Sequence, residues 1–352
     1  VIDGFPTTPN PNKTEFDASK RGAEVTTALL EDVSNYVHAQ ANAILSEANF
    51  NTALFSIKYV NILAAPGGNG LSWATAYNSL QDALANASNC FNNEIWVAKG
   101  TYKPDASDET VAFVIPKNAV IYGGFNGTET LASERNWNTN PTILSGDLNS
   151  SNSANLGDSH TILQIENNTV LIDGFIVEYG YADASSGAIG TSGAGIYTTG
   201  TDVAFKNSIF RNLTAQGNGS TGNGGVFFNT GSLTFNNSLF YNNVATNDGG
   251  VGYSDAGQLN LINCTISKNT ADSGGGFALN TSNATISNSI FHSNVANTHQ
   301  DIAQLSSGVA TVSYNTFGIG LTSAVTNAGN NYIFFDPSFI DPNSNNFKVK
   351  LS

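Results

Sequence analysis

Between residues 203 and 291 apolar and polar side chains alternate in short runs that return at a near-constant interval. Val203-Ala-Phe-Lys-Asn-Ser-Ile-Phe210 aligns with Leu233-Thr-Phe-Asn-Asn-Ser-Leu-Phe240, Leu259-Asn-Leu-Ile-Asn-Cys-Thr-Ile266 and Ala284-Thr-Ile-Ser-Asn-Ser-Ile-Phe291. The shared Asn207, Asn237, Asn263 and Asn288 lie 30, 26 and 25 residues apart; Asp173 takes the place one unit earlier and Tyr314 one unit later. Each unit continues with an Asn (Asn243, Asn269, Asn294), an Ala (Ala215, Ala245, Ala271, Ala296) and a Gly pair (Gly224-Gly225, Gly249-Gly250, Gly275-Gly276). A short apolar strand follows the pair, beginning at Ile196, Val226, Val251 or Phe277. Period-two patterning predicts strands with one buried face. No helix-length apolar stretch separates them, which excludes βαβ crossovers. A repeat near 26 residues with tight turns predicts a right-handed parallel β-helix of about ten coils, rungs ~4.8 Å apart. Stacked at one turn, the asparagines suit both a left-handed backbone and an amide ladder.

The ends break the pattern. Ser79, Leu80, Ala83 and Leu84 predict a short amphipathic helix, capped by Ser or Asn, that covers the N-terminal end of the coil. Ile95-Trp-Val-Ala reads as the first coil strand, and the β-helix with its cap spans 59–352. Residues 1–58 form an extension: a Pro-punctuated extended segment, then an amphipathic helix over Ala23–Glu47. The sequence reaches Phe347-Lys-Val-Lys-Leu-Ser352 without an evident cap, which exposes an edge to pairing.

Charged residues are only 11% of the chain, against ~25% in ordinary soluble domains. The net charge of −14 and thirteen scattered cations exclude nucleic acid and disfavour an anionic membrane surface. No apolar run is long enough to span a bilayer. Opening at Val1 with no methionine reads as a mature, secreted product whose leader has been removed, placing the protein outside the cell or on its surface. Cys264 occupies a position that other units fill with Ser and reads as a small packed side chain; with Cys90 it forms no framework.

Chemistry is sparse. No cofactor or metal motif is present, and His38, His160, His292 and His299 have no ligand spacing and read as solvated. Asp147, Asn149, Asn152 and Asp158 form an oxygen-rich loop loosely like a Ca²⁺ loop, without the terminal bidentate Glu. Asp248 and Asp272 recur at comparable turns of adjacent units, where Asp is also an ordinary turn residue. The outward positions after the Gly pairs read as Tyr197, Phe227, Gly252 and Ala278, which makes Tyr197 and Phe227 the candidate contacts for a glycan or a partner.

The coil pattern resembles the repeats of polymorphic outer-membrane proteins of the autotransporter class, through Phe240-Tyr-Asn-Asn243, Phe291-His-Ser-Asn294, Ile266-Ser-Lys-Asn269 and the glycine run before Phe277. The flanks are similar to bacterial choice-of-anchor Q surface proteins: Ser72-Trp-Ala-Thr-Ala-Tyr77, Ile95-Trp-Val-Ala-Lys-Gly-Thr-Tyr-Lys-Pro104, Glu134-Arg-Asn-Trp137 and Asp336-Pro-Ser-Phe-Ile-Asp-Pro342. That resemblance covers about residues 59 to 352 and implies surface display and no characterised reaction. The expectation is a non-catalytic extracellular adhesin stalk or filament subunit that self-associates or meets other surface proteins and glycans. Strand addition from a neighbour's N-terminal extension is the expected mode of assembly. Two alternatives stand beside it, a glycan-binding module and a polysaccharide lyase or hydrolase.

Overall fold

Each coil turns where the sequence places an asparagine. In a computed structural model Asn207, Asn237, Asn263 and Asn288 adopt left-handed backbone with φ between 49° and 57°, a conformation Asn accepts more readily than most residues. The structure describes residues 57–87, 93–166, 169–184, 189–217, 220–318 and 325–349. By internal contacts the chain divides into Val1–Phe55 and Ser56–Ser352, and the described residues belong to the second unit. The expected Ala23–Glu47 helix, His38 and Cys90 lie outside the described residues.

One coil shows the plan. Strand Asp202–Lys206 is followed by left-handed Asn207, then by Ile209–Arg211, left-handed Asn212, Thr214–Ala215, left-handed Gly224, and Phe227–Asn229. Like strands of successive coils pair in parallel, as in Val203↔Leu233↔Leu259↔Ala284↔Ala310. Among the described residues this builds four sheets. Sheet A has ten strands from Lys58–Val60 to Thr326–Asn327, and sheet B nine from Gly100–Tyr102 to Tyr332–Ile333. Sheet C has seven from Phe113–Val114 to Ile302–Gln304, and sheet D five from Tyr181–Ala182 to Val295–Thr298. The fold is a right-handed parallel β-helix. Its first strand, Lys58–Val60, precedes the Asn93–Ala98 strand that contains the expected starting point.

The core is a set of columns. Phe205 stacks on Phe235 at 5.4 Å, Phe210 on Phe240 at 5.0 Å and Phe291 on Phe317 at 4.8 Å between ring centroids. Offset stacking adds about 0.5–1.5 kcal/mol per pair beyond the area buried. Cys264 takes its Ser-like place: its buried Sγ lies 3.4 Å from the Ile262 carbonyl oxygen, where Ser238 and Ser289 use hydroxyls on Asn236 and Ser287. Burial pushes its thiol up to about 12, so it is an inert packed group.

The amide ladder is strongest one turn beyond the row of left-handed asparagines. Asn243 Nδ2 donates to Asn269 Oδ1 at 2.9 Å, Asn269 Nδ2 to Asn294 Oδ1 at 3.0 Å, and Asn294 Nδ2 to Asp301 Oδ1 at 2.9 Å. The two asparagine acceptors also take a backbone N–H from the previous coil, Asn269 Oδ1 from Asn243 N and Asn294 Oδ1 from Asn269 N. Buried amides are thereby satisfied coil by coil. In the left-handed row Asn207 Nδ2 donates to Asp173 and Asn237 Nδ2 to Asn207, and Arg135 closes that column with an ion pair to Asp173 at 2.7 Å.

Both ends are built as distinct structures. Helix α1, Leu80–Ala85, starts at Ser79, whose side chain accepts from Asp82 N, and buries Leu80, Ala83 and Leu84 against the first coils. At the other end the chain forms an antiparallel hairpin, Phe339–Asp341 with Asn346–Val349. Phe339 and Phe347 pack with Tyr241, Ile209, Leu239 and Ile290 on the outer face of sheet B. Lys268 Nζ donates to the Pro342 carbonyl oxygen and lies 5.7 Å from the Phe347 ring centre. The C-terminal segment therefore folds back along the flank of the stack.

Candidate functional site

The left-handed glycine fixes which residues of sheet C face outward. Gly193, Gly224, Gly249 and Gly274 have φ of 67°, 64°, 72° and 67°. Three residues after each comes the strand position that points into the core, giving Ile196, Phe227, Gly252 and Phe277, and Ile302, three residues after left-handed His299, continues the column. The next position points out, giving Tyr197, Phe228, Tyr253, Ala278, Ala303. Side chains alternate faces, so a slip of one residue exchanges the two columns.

That exchange corrects one of the two sequence-predicted contacts. Tyr197 is on the outer column, although only 9% of it is exposed. Phe227 is wholly buried and cannot meet a ligand. Its ring occupies the space left by Gly252, where an added methyl group would come within 2.0 Å of a ring carbon. Aligning Gly225-Val226 with Gly195-Ile196 hides this. The coil containing residues 193–196 carries Ala194 between its glycines, so its matching position is Val226, not Phe227, for Gly195. The residues missed were Phe228 and Tyr253, since Gly252, read as outward, also belongs to the inner column, and the left-handed glycine was the signal that identifies both.

On the outer column three rings form one stack. Tyr197 and Phe228 are 5.8 Å apart at 2°, and Phe228 and Tyr253 are 5.5 Å apart at 12°. Parallel planes at these separations are laterally offset, since face-to-face contact needs only ~3.5 Å. The rings overlap like shingles, and Phe228 and Tyr253 are partly exposed. Carboxylates border them. Burial raises the Tyr197 phenol pKa, with Glu166 adding to it; burial also raises that of Tyr253, with Asp255 and Asp248 adding. Asp255 Oδ1 accepts from Asn280 Nδ2 at 2.9 Å, which holds it beside the stack.

Asp248, between sheets D and C, is near Tyr253 of this platform, and Asp272 of the sheet D strand Thr270–Ser273 is near Asp248. Burial, then the Asp272 carboxylate, hold the Asp248 carboxyl above its usual range. Asp272 is exposed and accepts from Asn297 Nδ2 at 2.7 Å. A carboxyl raised in this way favours the protonated, hydrogen-donating form.

Other candidates resolve into structure. In the Asp147–Asp158 loop, Asp147 accepts from the N–H groups of Ser151 and Asn152, and Asp158 from those of Leu148 and Asn155, at 2.8–3.1 Å. The carboxylates close the loop on itself. His160, expected in solvent, is largely buried, with Nε2 3.1 Å from Asp183 Oδ1 and 3.5 Å from Glu109 Oε1. His292 is half-buried, edge-on to Phe339 at 5.3 Å, and burial lowers its pKa. His299 is exposed. Among the described residues no group of three or more His, Cys, Asp or Glu is placed to hold a metal ion, and no helix is long and apolar enough to cross a membrane.

No protein-family model matches the chain, and no curated protein matches it. Among solved structures, the crystal structure of pectate lyase Pel9A is similar at 16% identity and a TM-score of 0.49, over 79% of this chain and 74% of that one. That neighbour is an enzyme, and the expectation of a non-catalytic protein is withdrawn. A likeness at this level concerns architecture, and no reaction passes from it to this chain.

Proposed function

We propose that this β-helix is an extracellular polysaccharide-binding protein whose ligand lies along the outer face of sheet C, across Tyr197, Phe228 and Tyr253. The observation that supports this reading is the offset three-ring stack, which repeats aromatic surface at the spacing of the coils. Such surface packs against the apolar C–H faces of sugar rings, while bordering carboxylates accept from sugar hydroxyls. Glu166, Asp248 and Asp255 border the stack, Asp272 lies near Asp248, and the chain carries a net charge of −14. This field repels polyanions, which points to a neutral polysaccharide.

Affinity gel electrophoresis against a panel of neutral and acidic polysaccharides tests the proposal. A neutral polymer should retard the wild-type protein, and Phe228→Ala should weaken that retardation roughly 3–10-fold. Equal retardation of both proteins would remove the stack from the account.

Asp248 favours a second reading, cleavage of the bound chain. A carboxyl held above its usual range beside a second carboxylate suits general acid catalysis. Release of new reducing ends, abolished in Asp248→Asn while binding persists, would establish it; no release from any polymer that binds would leave binding alone.

A further inference from the structure

The two ends of the stack are finished differently. At the N-terminal end, α1 lays Leu80, Ala83 and Leu84 over the core and turns Asp82 and Ala85 to solvent. At the C-terminal end, the core column Phe210, Phe240, Ile266, Phe291, Phe317 is continued by Ile333, which is 47% exposed. Around it Tyr314, Tyr332, Phe334 and Phe335 are 61%, 65%, 75% and 51% exposed. Tyr332 and Phe335 have ring centres 5.9 Å apart, so these two side chains are contiguous. Phe334 is also held at φ 57°, a left-handed conformation unfavourable for a bulky residue, with its ring in solvent. Tyr314 stands where earlier coils place Asn.

We propose that this end is the interface with a second copy of the chain, joined end to end about a two-fold axis through the C-terminal coils. Area supports this occupant. Aromatic side chains contribute roughly 150–250 Å² each when buried, so the four rings together with Ile333 leave on the order of 600 Å² of apolar side-chain surface open. Exposed patches of that size mark interaction sites. With the adjoining edge strands Thr326–Asn327 and Tyr332–Ile333, the area approaches the ~800 Å² per partner of a stable interface. A two-fold contact buries this patch on both copies at once and closes the assembly. A head-to-tail contact would instead set it against the polar outer face of α1. The interface does not depend on the polysaccharide reading.

The test uses the full chain. Sedimentation velocity should show a dimer, and Phe334→Asp combined with Phe335→Asp should weaken association at least tenfold. Both side chains are exposed, so the circular dichroism spectrum should stay that of the wild type. In a mixture of isotopically light and heavy protein, Phe334→p-benzoylphenylalanine should photo-cross-link to residues 309–335 of the other copy. Cross-links to the other copy's residues 1–56 or 79–86, cross-links within one copy only, or a wild-type monomer at all concentrations would each overturn the proposal.

Discussion

The two columns of sheet C are neighbours in sequence and opposites in environment. Phe227 is wholly buried over Gly252, while Phe228, one residue on, stacks between Tyr197 and Tyr253 on the outer face. The residue types are identical, so neither hydrophobicity nor propensity separates them. What separates them is the count of residues from left-handed Gly224. In a strand that count alone decides whether a ring faces the core or the outer surface.

Breaking the inner column should give the largest effect. Phe227→Ala removes a wholly buried ring and leaves a cavity, costing about 3–5 kcal/mol by urea denaturation. A cost under 1 kcal/mol would mean that the ring is not in the core.

Next comes Asp301, which lies beside the inner column and ends the Asn243–Asn269–Asn294 ladder; its backbone oxygen accepts from Phe277 N. It is 7% exposed, and burial lifts its carboxyl pKa to about 6. The folded state therefore holds a proton that the unfolded chain, with an ordinary carboxyl at 3.8, releases earlier. Its stabilising contribution is full below pH ~4 and is lost as pH rises to ~6, a change on the order of 2–3 kcal/mol. Asp301→Asn should flatten that part of the stability–pH curve and stabilise the protein at pH 7. An unchanged curve would show that Asp301 is not protonated in the fold.

Gly252→Ala sharpens the same comparison from the opposite side. The added methyl would meet the Phe227 ring, costing about 1–3 kcal/mol, and Phe227→Leu should relieve part of it. Additive effects in a double-mutant cycle would separate the two residues. Smallest in stability is Phe228→Ala, expected within ~1 kcal/mol of wild type, with its consequence in ligand retardation instead.

Much of the fold was legible because its rules are local. The asparagine spacing gave coil length and turn position, Ser79 marked the start of α1, and the Ser-like place of Cys264 identified it as packed. Three features were not local. The Lys58–Val60 strand is three residues long and joins sheet A only by pairing with Asn93–Ala98. The C-terminal hairpin finds its place through Phe339 and Phe347 against side chains some 50 to 140 residues earlier. Phe228 was lost to a one-residue difference between coils, where Ala194 interrupts one glycine pair and the next coil keeps Gly224-Gly225 intact. A period-two element turns such an error into exchange of inside and outside, so the site was less legible than the scaffold that carries it.

Phe227→Ala and Phe228→Ala measured side by side test the central claim most directly, each by urea denaturation and by electrophoresis in the polysaccharide gel that retards the wild type. The account requires a loss of several kcal/mol for Phe227→Ala, and for Phe228→Ala near-native stability with weakened retardation. Near-native retardation for Phe228→Ala, or equal losses of stability in the two variants, would contradict it.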